Sequence, residues 1–367
     1  MKKRKGKKKL TWGKIAGRTL LVILTFALVT VAGAYVTIWM ICHGPSQAAR
    51  DLFVSTILET GQMKFLASWY FSEEEILAIT GRNGMENSTQ VVNPDLIITP
   101  TPDKEIDGET DFDINGIEIV EISGRSFFGK LMIINDPSRI KLTTIYPWSE
   151  DPDGKKGQTL EQLVTDGGYL GGVNGGEYES SGNWGGKPKG LVVCDGEIQF
   201  NHPQRGDVMI GFNEDDVLLV MDIGSLSVKK IEEMVKEYKI RDAVSFKDID
   251  DGDDNHFTKL IINGEAREIS GNGSGANPRT AIGQKADGTV LILVTDGRGA
   301  SGHLGATARD LISIMQEYGA VNAANLDGGS SSAMYYDGAY EMSSVTLYYS
   351  TSSWRLPTAF VIEKRED

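Results

Sequence analysis

The segment Asn325-Leu326-Asp327-Gly328-Gly329-Ser330-Ser331-Ser332 puts a carboxylate at the end of an apolar run and follows it with two glycines and three hydroxyls. Glycines let the backbone turn sharply and let a ligand approach the main chain. The hydroxyls and freed N–H groups of such a turn suit an anionic or polyhydroxylated ligand. Asp327 beside it is a candidate acid, base or nucleophile. Three other segments carry comparable groups. Asn174-Gly175-Gly176-Glu177-Tyr178 is a glycine-rich turn with an amide and a carboxylate. Asn277-Pro278-Arg279-Thr280 sets a guanidinium just before a strand-like run, and Asp296-Gly297-Arg298 follows the strongest apolar run in the chain. Each taken singly also reads as ordinary structure, since Asp-Gly and Asn-Pro are turn formers and a lone Arg is usually a solvated charge.

The elements that must position these groups are short. Runs at 117–122, 131–134, 190–193, 217–220 and 290–294 are apolar or alternating and are bounded by Gly, Asp or Asn, which predicts strands. Two helices interrupt them. One lies near 227–239; the other opens with a capping box from Thr307 to Asp310 and presents Leu311, Ile314, Met315 and Tyr318 on one face. Many strands and few helices predict an α+β domain with a mixed, mostly antiparallel sheet core, of about 250 residues.

Taken in order, the segments NPRTAIG, TDGR, a helix and NLDGGSSSAM resemble the phosphodiester glycosidase family. The Asn174-Gly175-Gly176 turn, the run from Gly190 to Ile198 and the closing Arg355–Phe360 segment are also similar to it. The resemblance covers most of 113–363. It departs in two places: Glu177-Tyr178 stands where the family usually has aromatics, and Ser330 replaces a third glycine. What the resemblance implies is hydrolysis of a sugar–phosphate diester at the anomeric carbon. Arg279 would hold the phosphate with Arg298 assisting, because a guanidinium fits phosphate oxygens in a bidentate manner. Asp327 would be nucleophile or general base, with Asp296 or Glu177 as second carboxylate. Asn174, Gly175, Gly176, Thr280, Asn325, Gly328, Gly329, Ser330 and Ser331 would line the substrate. An N-acetylglucosamine-like sugar is the expected glycone.

The N-terminus adds an anchor. Residues 1–18 hold nine Lys/Arg and no acid, and 19–42 hold no charge at all. A 24-residue apolar run exceeds the ~20 residues that span a bilayer, and the basic flank predicts a cytoplasmic N-terminus. The expected arrangement is a single-pass plasma-membrane protein with its catalytic domain outside; a cleaved signal peptide is the rival. Residues 43–80 read as a juxtamembrane helical segment, 81–112 as a polar linker and 113–367 as the catalytic domain. Without the basic tail the chain has 28 basic and 51 acidic residues, a net charge of −23, which argues against nucleic-acid partners. Cys42 and Cys194 do not make a disulfide framework. No cofactor is required by any motif, and a divalent cation at the acid-rich site is left open. The acidic run Asp248–His256 fails the calcium-loop spacing, and His303 reads as a surface loop residue. The alternative function is a non-catalytic glycan-phosphate binding or scaffolding protein of exopolysaccharide or envelope assembly, using the 46–80 helices as its partner surface.

Overall fold

The computed structural model describes residues 12–60, 63–99, 112–151, 154–179, 183–251, 254–345 and 351–365. Most of the basic tail and residues 100–111 of the expected linker fall outside them. Two compact units emerge, Met1–Phe53 and Val54–Asp367. The first is dominated by helix α1 (Trp12–His43), among the described residues the one helix long and apolar enough to cross a membrane. It starts before the charge-free run because Lys14 and Arg18 prolong the helix without interrupting it.

Three short helices follow, α2 (Gln47–Leu58), α3 (Phe65–Tyr70) and α4 (Glu73–Thr80). Ser72 caps α4 in a reciprocal capping box with Glu75, which satisfies two N–H groups the helix start leaves open. The compact second unit begins well before residue 113. Residues 86–98 are tied to loops between its strands: Glu86 N–H donates to Glu268 O, Asn93 N–H to Asn263 Oδ1 and Ile98 N–H to Ala286 O. Polar composition alone could not distinguish a free linker from a strap whose polar groups are spent on neighbouring loops.

The strands form three antiparallel sheets. The first has seven strands in the order β1 (Ile117–Ser123), β2 (Phe128–Ile134), β15 (Val290–Thr295), β14 (Arg279–Lys285), β16 (Ala320–Asn325), β12 (Lys259–Ile262) and β13 (Glu265–Ala266). The second runs β18 (Ala339–Met342), β17 (Met334–Tyr336), β4 (Gly171–Asn174), β19 (Thr358–Ile362) and β3 (Ile140–Thr144). The third runs β6 (Glu197–His202), β5 (Gly190–Cys194), β9 (Ile240–Lys247), β7 (Asp207–Asn213) and β8 (Leu218–Asp222). A small hairpin joins β10 (Ile249–Asp251) to β11 (Asp254–His256).

Packing follows the two-residue period of a strand. In β15, Leu291 and Leu293 face one cluster with Leu311 and Met315 of α7 (Ala308–Glu317). Val290, Ile292 and Val294 face the other, with Val173, Phe360, Val192 and Ile210 of the second and third sheets. With both faces covered, the strand reads as a continuous apolar run. Helix α5 (Leu160–Asp166) covers the second sheet through Leu160, Leu163 and Val164, and α6 (Val228–Glu237) inserts Ile231, Met234 and Val235 into the large cluster. Among the described residues there are seven α-helices, and the fold is the mixed, antiparallel α+β class the strand pattern predicts.

Candidate functional site

Antiparallel register collects the distant motifs. Arg279 at the start of β14 pairs with Thr295 at the end of β15, and Ala281 pairs with Asn325 at the end of β16. The segments carrying Arg279, Asp296–Arg298 and Asp327 therefore leave the sheet at one edge. The second sheet brings in Asn174, whose Nδ2 donates to the Asp327 carbonyl at 2.6 Å.

The Asp327 turn is held from several sides. Gly328 is extended and residues 329–331 make one 3-10 turn. Gly329 has φ +64°, a left-handed conformation that favours glycine, and a Cβ there would press on Arg298 Nη2 at 2.5 Å. Gly329 N–H donates to Pro278 O at 2.8 Å. Arg298, itself at φ +54°, donates from Nη1 to Ser330 Oγ at 2.8 Å and from Nε to Asn277 Oδ1 at 3.5 Å. Burial depresses the Arg298 pKa first and Arg279 adds repulsion, while Asp327 and Glu59 pull it back up.

Asp327 is the perturbed carboxylate. Burial pushes its pKa up to about 7 and the Glu177 charge adds to the rise; hydrogen bonds from Ser331 and the Gly328 N–H and the nearby His256 act the other way. Ser331 is in turn 3.0 Å from the hydroxyl of buried Tyr178. Glu177 is ion-paired to Lys189 at 2.8 Å through Oε1. Around this turn, Glu177 Oε2, Asn325 Oδ1 and Ser332 Oγ are buried with no hydrogen-bond partner among the described residues. Buried polar atoms are nearly always paired, so three unpartnered atoms around one turn make it the candidate site.

Other expected site residues sit in supporting positions. Asn174 Oδ1 accepts from the Thr280 hydroxyl at 2.7 Å and from Ala333 N–H at 3.3 Å, so both side chains are spent inside the protein. Gly175 and Gly176 make room for Thr358 and Ser245, not for a ligand: a Cβ would fall 2.3 Å from Thr358 Oγ1 or 2.6 Å from Ser245 O. Asn325 Nδ2 donates to Phe257 O at 3.0 Å. Asn174→Ala is expected to destabilise the fold by about 3 kcal/mol, because it strands a buried carbonyl, an N–H and a hydroxyl. A denaturation midpoint equal to wild type would show those groups to be satisfied elsewhere.

Asp296 is not a free carboxylate. Its Oδ1 accepts from Phe128 N–H at 2.8 Å and its Oδ2 lies 2.7 Å from His303 Nδ1. His303 is a partly exposed loop residue, as its sequence reads, but it is held by an acid; an imidazole seven residues after Asp296 in a glycine-rich loop was the available signal. The acidic run also resolves in part: Asp248 accepts from Arg267 Nη1 at 2.6 and 2.8 Å. Among the described residues no group of three or more His, Cys, Asp or Glu is arranged to hold a metal.

The least expected member comes from the helical segment before the domain. Arg279 is buried, and its Nη2 donates to Glu59 Oε2, to Ser274 Oγ at 3.3 Å and to Gly275 O at 2.8 Å. Its guanidinium stacks 4.8 Å from the Phe257 ring centroid. Glu59 also accepts from Gly275 N–H at 2.6 Å and from Asn277 Nδ2 at 3.2 Å. A sequence reading could not find it, since Glu59 ends an ordinary helical pattern and no chemical motif surrounds it.

Residues 167–363 match the family model described as phosphodiester glycosidase. The chain belongs to this family. The matched stretch spans β4 to β19 and contains every expected site residue; Glu59 lies outside it. A curated relative, the SPbeta prophage-derived uncharacterized protein YomE of Bacillus subtilis (strain 168), is 45% identical over 64 residues. That stretch is 17% of this chain and 10% of the relative, so the chain spans about a tenth of the length of the protein it matches. Among solved structures, the zebrafish N-acetylglucosamine-1-phosphodiester alpha-N-acetylglucosaminidase catalytic domain, auto-inhibited by its pro-peptide, aligns with TM-score 0.47 and 19% identity over 68% of this chain and 82% of that one. A hypothetical protein from Synechocystis aligns with TM-score 0.42 and 16% identity over 68% and 62%.

Proposed function

We propose that this phosphodiester glycosidase hydrolyses a sugar-1-phosphodiester, with an N-acetylglucosamine-like glycone, in envelope or external glycans. The observation that carries the reading is the Asp327 turn. A carboxyl titrating near neutrality stands within electrostatic reach of a second, ion-paired carboxylate and of a guanidinium. A general base works best with a pKa near the working pH, so Asp327 takes the proton of the attacking water. Glu177 is the second carboxylate, facing the positive charge that develops at the anomeric carbon. The C1–O bond breaks with its electron pair leaving on the phosphate, and Arg298 with the Ser330 hydroxyl binds the departing oxygens. Arg279 stands behind Arg298 as the buried cation that supports the seat, and Asp296 orients His303 beside it. Asn174, Thr280, Gly175 and Gly176 shape the turn, while Asn325, Gly328, Gly329 and Ser331 border the ligand. Helix α1 serves as an uncleaved membrane anchor, with the N-terminus cytoplasmic and the catalytic unit outside.

The test uses the full chain in detergent micelles and a panel of sugar-1-phosphodiesters, with reducing sugar as readout and Asp327→Asn as control. Release by wild type and not by the variant supports the reading. Equal release by both would remove Asp327 from the mechanism. Saturable binding without release, lost in Arg298→Ala, would favour the glycan-phosphate scaffold instead.

A further inference from the structure

Two guanidinium groups, Arg279 and Arg298, are neighbours: after burial, the Arg279 charge is the next cause that depresses the Arg298 pKa. One has a dedicated counter-charge. Glu59 follows α2 directly, and only 4% of its side chain is exposed, against 8% for Arg279. It grips the loop before β14 at three points: the Arg279 guanidinium, the Gly275 N–H and the Asn277 amide. Thr56 adds a fourth by accepting from Ala276 N–H at 3.0 Å. Gly275 has no room to be anything else, since a Cβ would lie 2.4 Å from the Thr56 backbone. The contact continues outward, from Asn277 Oδ1 to Arg298 Nε and from Arg298 Nη1 to Ser330. So deep a carboxylate is unscreened by solvent, and its charge is felt at the neighbouring cation.

On the reading of this turn as a phosphate seat, we infer that Glu59 is a specificity-determining residue. It cancels one of the two guanidinium charges, so the Arg279–Arg298 pair that forms the seat carries a single net positive charge, and Lys189 offsets Glu177. A phosphodiester carries one negative charge near neutrality. A phosphomonoester, with a second pKa of about 6, carries nearly two. A seat of net +1 matches the diester and releases the monoester product; a seat of net +2 would retain the product. Glu59 does not touch the substrate: it acts by charge and by placing Asn277 and Arg279.

The experiment compares binding of N-acetylglucosamine 1-phosphate and of its methyl phosphodiester at pH 8 by calorimetry. It uses the full chain in detergent, in an Asp327→Asn background that prevents turnover. Adding Glu59→Gln is expected to raise affinity for the monoester about tenfold relative to the diester, the effect of roughly 1.4 kcal/mol. Adding Arg279→Gln as well restores a net charge of +1 and is expected to bring the preference back. Equal changes for both ligands, in either direction, would overturn the assignment; a common gain would mean that Glu59 merely obstructs the seat. If Glu59→Gln alone loses cooperative melting, the double variant decides, because removing a buried ion pair whole is better tolerated than halving it. A preference in the double variant different from the parent would then refute the charge count. Failure of the parent to bind either ligand would instead remove the phosphodiester reading itself.

Discussion

Asp327→Asn is expected to abolish turnover, by a factor of about 10³ or more, and at the same time to raise the melting temperature in alkaline buffer. The loss follows from removing the base that takes the proton of water. The gain follows from burial. The folded protein holds the Asp327 proton up to about pH 7, whereas the unfolded chain loses it near pH 4. Between these values the native state binds more protons, so stability falls as pH rises through the window and the full penalty stands above it. A shift of this size has a ceiling of about 4 kcal/mol, and roughly half remains after allowing for the partial exposure of the residue. Asn carries no such penalty. The variant is expected to melt about 4–8 °C higher than wild type at pH 8, and within a degree or so of it near pH 4, where both side chains are neutral. Asp207, pushed up to about 6 mainly by burial, gives wild type and variant the same additional slope and cancels from the difference. A variant that melts no higher at pH 8 than at pH 4, relative to wild type, would show that the Asp327 carboxyl is not held in a desolvated site.

The second large effect concerns where the catalytic unit begins. A chain starting at residue 81 lacks Glu59, Thr56 and Ser55, together with buried Val54, Ile57, Leu58 and Ile79. Arg279 would remain buried without its counter-charge, a loss of about 3–5 kcal/mol, and the Gly275 and Ala276 N–H groups would lose their acceptors. Such a chain is expected to melt about 10 °C or more below one starting at residue 46, and to be cut faster by protease in the 271–279 loop. Identical melting of the two would mean that the helical segment only decorates the domain. The longer chain is the one in which to seek activity.

Much of this protein was legible in its sequence, for identifiable reasons. Val290–Val294 announced a strand, and the Thr307 capping box announced α7, because period and capping are local physics. The apolar helix was set by composition. The ordered motifs marked the family and, with the Asn174–Tyr178 turn, singled out Asp327, Glu177, Arg279, Asp296 and Arg298 as candidates, since glycine turns beside acids and guanidiniums are visible one segment at a time.

The division of labour among those residues was not local. Asn174 and Thr280 bond to each other because β4 and β14, from different sheets, converge there. Asp296 is spent on Phe128 and His303 because β15 pairs with β2. Glu59 reaches Arg279 across 220 positions of sequence, where no spacing rule operates. The sequence by itself determined which side chains were available and which elements would carry them. Tertiary structure decided which of them kept a free polar atom, because burial and a hydrogen-bond partner are properties of neighbours brought from elsewhere in the chain.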